Sequence, residues 1–342
     1  MVVQQLNMES VNKNNNNSKK GITTMEEDKN KNMNNTDHFM AKGTMTIETF
    51  MNMVKDALAS HLRDCTIKSQ EVKKNNGVIL HGLRIMEPES NIAPVIYLDN
   101  AFKDYQNGRD FHEIVTAIAE DYKKNHPLSG FDATIMNDYV RVKDRICFKV
   151  INTALNSELL SGVPHIPFWD LAVVFYILLD SIPGQNASIM VQNSNMIDWE
   201  VDTDILFKTA KANTQRLLGG KVMPMKNVIE DALADRGVMT EERLSELENC
   251  GMYIATNNEN VNGAVVLLYD SLLSGFADKV GTDFYIIPSS VHELIFMLDS
   301  VNMKPKDIRR MICEVNSTVD PEEILSDNVY IYRRETGLVE II

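Results

Sequence analysis

The chain has 342 residues, with 34 Lys+Arg against 48 Asp+Glu for a net charge of −14, 44% hydrophobic residues and four cysteines. That is ample apolar material for a buried core, while the negative balance argues against a protein that follows nucleic-acid phosphates with a basic stripe. Cys65, Cys147, Cys250 and Cys313 lie far apart, which leaves no C-x-x-C redox or zinc motif and no dense disulfide framework.

Residues 1–43 hold ten Asn, among them the run Asn14–Asn17, and six Lys against five acids. So polar a segment buries too little surface to offset its ordering entropy, and a disordered tail is predicted. The acidity then belongs to the remainder, at −15. The first residues have neither the basic start nor the apolar run of a secretory signal. From Thr46 the pattern changes: Ile47, Phe50, Met51, Val54 and Leu58 form the stripe of an amphipathic helix. A hairpin follows, turning at Lys73–Gly77 with Asn-Gly at its tip, its second strand at 78–85, and another strand is expected at 92–98. Asp110 and Glu113 have capping-box spacing before a helix carrying Phe111, Ile114, Val115, Ile118 and Tyr122.

A region rich in Arg and Lys, about 134–160, is expected to be helical. Pro164 and Pro167 then fix an extended approach to Leu171–Leu179. That apolar run is too short to span a membrane, which takes roughly 20 residues, and its β-branched and aromatic content predicts a strand buried on both faces. Pro183-Gly184 turns the chain into 187–192, a helix covers about 202–214, and short helices fill 219–250. Strand pairs are predicted at 252–256 with 264–269 and at 284–288 with 293–298. Helices follow each, one after Asp270 with Gly281 at its end, one after Pro305. A hairpin, 329–332 with 338–341, closes the chain. The resulting class is α+β: antiparallel strand pairs alternating with helices, a strand-strand-helix order starting near 78, 171, 252 and 284. Units 44–126, 127–218 and 219–342 are expected to pack as one body.

No nucleotide signature is present; Gly219-Gly220-Lys221 lacks the first glycine and the final hydroxyl of a P-loop. The densest chemistry is Ser289, Ser290, His292 and Glu293, following Pro288 where one strand gives way to the next. Hydroxyls, an imidazole and a carboxylate suggest a hydrolase. Yet side chains two apart on a strand sit about 7 Å apart, beyond direct nucleophile–base contact, and no G-x-S-x-G elbow or H-E-x-x-H motif surrounds them. A turn whose hydroxyls satisfy the backbone is the ordinary alternative. Asn257, Asn258 and Asn262 offer amides to a polar ligand, or a plain hairpin connection. His165 has no second ligand at metal spacing and is expected to be an ordered, buried histidine. Asp99, Asn100 and Asp104 lack EF-hand spacing. Basic groups at Arg141/Lys143/Arg145/Lys149, Lys304/Lys306/Arg309/Arg310 and Arg333/Arg334 sit among acids, as solvated faces do. Cys250, beside Gly251, is the one cysteine expected at the surface.

The segments Val72–Met86, Asn91–Gly108, Val163–Asp180, Leu206–Thr214, Met252–Glu259, Asn262–Tyr269, Tyr285–Met297 and Glu314–Gly337 resemble a bacterial family of unknown function, numbered 5688 and abundant in Clostridia-type gut bacteria. The resemblance runs from about 46 to 341 and leaves out the Asn-rich tail. It implies a cytoplasmic bacterial protein, assigns no activity and gives no residue a role. The leading expectation is therefore a cytoplasmic, non-enzymatic binding or regulatory module acting by protein–protein contact. It would use no cofactor, metal or membrane, and nucleic acid is disfavoured as a partner. The alternative is a hydrolase-like or small-ligand site built from the 288–293 turn and the 257–262 loop.

Overall fold

A computed structural model describes residues 45–88, 93–124, 133–179, 188–234, 251–299 and 303–342. Three antiparallel sheets with helices packed on them make the chain α+β.

The first sheet joins β1 (Thr66–Lys73), β2 (Ile79–Met86) and β3 (Val95–Tyr97) in that order. Asn76 and Gly77 take positive φ, 58° and 71°, as the β1–β2 turn requires. Helix α1 (Ile47–His61) starts where the Thr46 hydroxyl accepts the Thr49 amide. Helix α2 (Asp99–Gln106) follows β3, and α3 (Phe111–Lys124) starts where the Asp110 carboxylate accepts the amides of His112 and Glu113 at 2.9 and 3.0 Å. Phe50, Val54 and Leu58 of α1 meet Ile114 and Val115 of α3 and Leu83 of β2 in one buried cluster.

In the second sheet β6 (Leu171–Leu178) is central. β4 (Ile146–Asn152) lies on one side, and β5 (His165–Phe168) and β7 (Ser188–Met190) share the other. Its residues alternate as a strand must. Leu171, Val173, Phe175 and Ile177 enter the main core, whereas Ala172 and Val174 pack with Leu160 and Val163 on the reverse. Each of the Leu, Val, Phe and Ile side chains among them contributes about 1.5–3 kcal/mol by burial. Asn156, just before α5 (Ser157–Gly162), and the β5–β6 turn stand at the same end of the sheet.

The third sheet runs β13 (Leu338–Ile341), β12 (Tyr330–Arg333), β10 (Phe284–Ile287), β11 (Leu294–Leu298), β9 (Met252–Thr256), β8 (Lys221–Pro224). Phe284, Ile286, Phe296 and Tyr330 face the main core shared with the second sheet. Tyr285, Ile287, Met297 and Ile331 face Ile308 and Ile312 of a helix at Pro305–Asn316. Its exposed face carries Lys306, Arg309 and Arg310.

Three expectations need correction. Residues 146–152, expected to be helical, form β4; the run is buried on both faces, so polar alternation could not reveal it. The Val163–Phe168 approach is extended as expected, and its residues 165–168 also pair with β6 as β5. Residues 219–250 open with β8 before a helix at Met225–Ala234; 235–250 lie outside the described residues, as do Pro183-Gly184 and the 1–43 tail. Residues 264–269 are not the partner of β9: Gly263–Leu268 is a 3₁₀ turn buried throughout its first five residues. A short, wholly apolar run has no period to separate strand from helix, and β9 pairs instead with β11 and β8. The strand-strand-helix order thus fails for the unit starting near 252.

The closing hairpin β12–β13 is tied to β10 by Asp283, whose carboxylate accepts the Arg334 amide at 2.9 Å and the Arg333 guanidinium at 3.0 Å. These bonds, the amide's foremost, hold its carboxyl below its ordinary value of 3.8. A carboxyl lowered on folding stabilises fully above about pH 4 and loses that contribution as pH falls through the lowered value. Asp283→Asn is expected to cost under ~1 kcal/mol at neutral pH, because the pair is partly solvated. It should also make stability decline less steeply in acid. Urea midpoints of both proteins at neutral and strongly acid pH check this.

Candidate functional site

Pro288 ends β10, since it has no amide to continue a ladder, and 288–293 becomes a tight turn before β11. Ser290 N–H donates to the Glu293 carbonyl at 3.2 Å, and the Ser290 hydroxyl accepts the His292 amide at 3.0 Å. This is the backbone-satisfying turn, with Ser290 buried. The Ser289 hydroxyl points to Glu293 Oε1 at 3.4 Å.

The Asn257–Asn262 loop meets this turn. Thr256 Oγ1 donates to the His292 carbonyl at 2.8 Å, and the Asn262 amide donates to His292 Nδ1 at 3.1 Å. An Nδ1 that accepts an N–H carries no proton, so the ring proton sits on Nε2, 3.9 Å from Glu323 Oε1. The loop closes on Gly263 for a steric reason. A Cβ there would stand 1.9 Å from Thr256 Oγ1 and 2.3 Å from the His292 carbonyl oxygen. Asn257 is fully buried; its Nδ2 donates to the Val261 carbonyl at 2.7 Å, while its Oδ1 is buried with no hydrogen-bond partner. Asn258 is exposed, anchored by its amide to the Leu218 carbonyl at 2.9 Å. The loop is not a hairpin connection, because it leads into the 3₁₀ turn.

Neighbouring contacts were invisible in the sequence. Glu323 joins the turn twice, its carbonyl also accepting the Val291 amide at 2.9 Å. Beyond it lies a clasp of amides. Asn76 Nδ2 donates to the carbonyls of Pro321 and Ile324 at 2.8 and 2.6 Å. Its backbone N–H donates to Asn156 Oδ1 at 2.8 Å, and Asn156 Nδ2 donates back to Asn76 Oδ1 at 2.8 Å. Asn75 reaches the Glu322 carbonyl and Asn152 the Leu325 carbonyl. These partners stand 80 to 248 residues apart, so no local spacing announces them. Next to the clasp, the Asp170 carboxylate accepts the hydroxyls of Ser326 and Tyr330. Burial, reinforced by Asp170, pushes the Tyr330 hydroxyl far above its ordinary range.

The remaining candidates are scattered. His165 is half-buried, its Nδ1 3.1 Å from the Val163 carbonyl. Asp99 pairs with His81 at 3.0 Å while Asp104 pairs with Arg109 at 3.0 Å. Cys147 is buried, and burial pushes its thiol up to about 11. Among the described residues the exposed cysteine is Cys313, on the polar side of its helix; Cys250, the one the sequence pointed to, lies outside the described residues. Among the described residues no group of three or more His, Cys, Asp or Glu is placed to hold a metal ion, and no helix is long and apolar enough to cross a membrane.

Residues 47–334 match the model of a family described as a family of unknown function, DUF5688. No curated protein and no solved structure matches the chain.

Proposed function

Since the chain belongs to the DUF5688 family, whose function is unknown, we propose from its geometry that it is a non-enzymatic binding or regulatory module acting by protein–protein contact. One observation carries this reading. The lone pair that would make His292 a base is occupied by the Asn262 amide, so the imidazole can take no proton from a serine without releasing the loop. Ser290 is likewise engaged by the His292 amide. The 288–293 turn is, on this reading, a fastener between loop and sheet. Units 44–126, 127–218 and 219–342 act as one body, since the Asn76 clasp touches all three. A bacterial cytoplasmic setting fits the unpaired Cys65, Cys147 and Cys313.

The test is labelling with a fluorophosphonate, which modifies activated serines, together with Ser290→Ala and His292→Ala. No labelling of Ser289 or Ser290 is expected. Ser290→Ala should lose about 1 kcal/mol and His292→Ala about 1–3 kcal/mol of unfolding free energy, because each leaves a backbone amide without its acceptor. Labelling at either serine that disappears in His292→Ala would sink the reading. One observation favours a second reading, a small-ligand site in the 257–262 loop: the unpartnered Asn257 Oδ1, which is buried and would accept from a donor on the ligand once the loop opens.

A further inference from the structure

The chain carries three Asn-Gly pairs, Asn76-Gly77, Asn107-Gly108 and Asn262-Gly263. Asparagine is a thermolabile residue, and a glycine after it removes the side chain that would shield the next backbone nitrogen. That nitrogen is then free to attack the asparagine's own Cγ. Folding holds the three pairs differently. Asn107 and Gly108 are exposed at the end of α2, and the Asn107 side chain has no hydrogen bond among the described residues. Gly263 is buried against Thr256 and the His292 carbonyl. At the third pair Gly77 is exposed, while Asn76 is pinned by the clasp.

Four bonds do the pinning. Asn76 Nδ2 donates to the Pro321 and Ile324 carbonyls at 2.8 and 2.6 Å, Oδ1 accepts from Asn156, and the backbone N–H donates to Asn156 Oδ1. The nitrogen that deamidation would expel is thus the atom held by two carbonyls. The backbone is set against reaction as well. At Asn76 φ is 58° and ψ is 26°, which turns the Gly77 nitrogen away from the Asn76 Cβ. Ring closure needs the two on the same side of the Cα–C bond. Rotation about that bond re-aims the Asn76-Gly77 peptide unit, a change the turn accommodates only by leaving the clasp.

We propose that Asn76-Gly77 is a self-modification site gated by the clasp. In the open turn the Gly77 amide nitrogen loses its proton and attacks Asn76 Cγ. An N–Cγ bond forms, the Cγ–Nδ2 bond breaks, and ammonia leaves with the proton, giving a five-membered imide. Solvent water adds to either imide carbonyl and opens the ring to aspartate or isoaspartate. Both products lack Nδ2, so the Pro321 and Ile324 carbonyls lose their donor and the clasp cannot close as before. A chain left open is converted one way, whereas a sealed chain keeps its amide. This inference stands independently of the protein-contact reading.

The experiment incubates the full chain at mildly alkaline pH and follows each Asn-Gly peptide by mass spectrometry, with Asn107 as an internal clock. In denaturing urea the Asn76 and Asn107 amides are expected to be lost at similar rates. In the folded parent Asn76 should lag Asn107 by about tenfold or more, because slow chemistry follows the population of the open turn. Asn156→Ala removes two bonds of the clasp without touching the pair, and should shorten that lag. Where this variant fails to fold, the parent in urea below its unfolding midpoint replaces it, and Asn76 should quicken there before circular dichroism changes. Gly77→Ala, read in denaturing urea where folding plays no part, should slow the loss at Asn76. Asn76 keeping pace with Asn107 in the folded parent overturns the gate, and an Asn76 that is stable in urea overturns the site. A lag that persists in folded Asn156→Ala, or that ends only with global unfolding, overturns the proposal as well.

Discussion

Gly263→Ala is expected to cost about 4 kcal/mol or more of unfolding free energy, against the roughly 5–15 kcal/mol that a domain possesses. The added methyl would fall 1.9 Å from Thr256 Oγ1, 2.3 Å from the His292 carbonyl oxygen and 2.9 Å from the Asn257 amide nitrogen. Two of these three atoms are backbone, and a rotamer change cannot move them. Overpacking alone typically costs 1–3 kcal/mol. Relief here requires pulling the loop from the 288–293 turn, which also sacrifices the Thr256–His292 and Asn262–His292 bonds. Gly275, on the helix Asp270–Val280, is the internal control. Nothing lies within 4 Å of a Cβ there, so Gly275→Ala should stabilise by about 0.5–1 kcal/mol through helix propensity. Denaturant unfolding of the two variants should move the midpoint in opposite directions. Equal midpoints would show that the loop is not packed against the turn as described.

Asn76→Asp should be the second most damaging change, at roughly 2–4 kcal/mol. The amide group donates to the Pro321 and Ile324 carbonyls and accepts from Asn156. A carboxylate keeps only the acceptor role and aims its charge at two carbonyl oxygens. The left-handed φ of 58° is tolerated equally by Asn and Asp, so the difference isolates the lost donors. The introduced carboxyl is destabilised when ionised, so its folded-state pKa is raised. The penalty is therefore full at high pH and relieved as pH falls and the group regains a donor. Unfolding free energies of parent and variant between neutral and mildly acid pH should converge; a gap independent of pH would contradict the clasp geometry.

Where the sequence was legible, the decisive information was local. The Ile47–Leu58 stripe, the Asn76-Gly77 turn, Asp110 as a cap and Pro305 at a first turn each act within one helical turn or one hairpin, and each stands where the pattern put it. The illegible parts were buried on every side. β4 and Gly263–Leu268 are both continuous apolar runs without period, and only their packing partners decide that one is extended and the other coiled. The candidate site divides the same way. Ser289, Ser290, His292 and Glu293 were conspicuous as residue types, whereas their meeting with the 257–262 loop rests on bonds between residues 30 and 36 positions apart. What they do with their hydrogen bonds depended on Asn262 and Glu323, which no motif links to them. The Asn76–Asn156 exchange and the Asp170–Tyr330 bond join residues 80 and 160 positions apart, and such pairs leave no mark in composition or spacing.

The clasp at Asn76 also imposes an order of events on the chain as it is made. Its first half, the β1–β2 turn, and its Asn156 partner are synthesised early, but the carbonyl of Pro321 comes 245 residues after Asn76. At translation rates of about 5–20 residues per second that is an interval of ~12–50 s. Through that interval the three-stranded sheet with α1 and α3 can assemble from its own neighbours, while the Nδ2 of Asn76 still has only water to donate to. The final contact between the beginning and the end of the described chain is thus a late seal, closed by a segment that arrives nearly last.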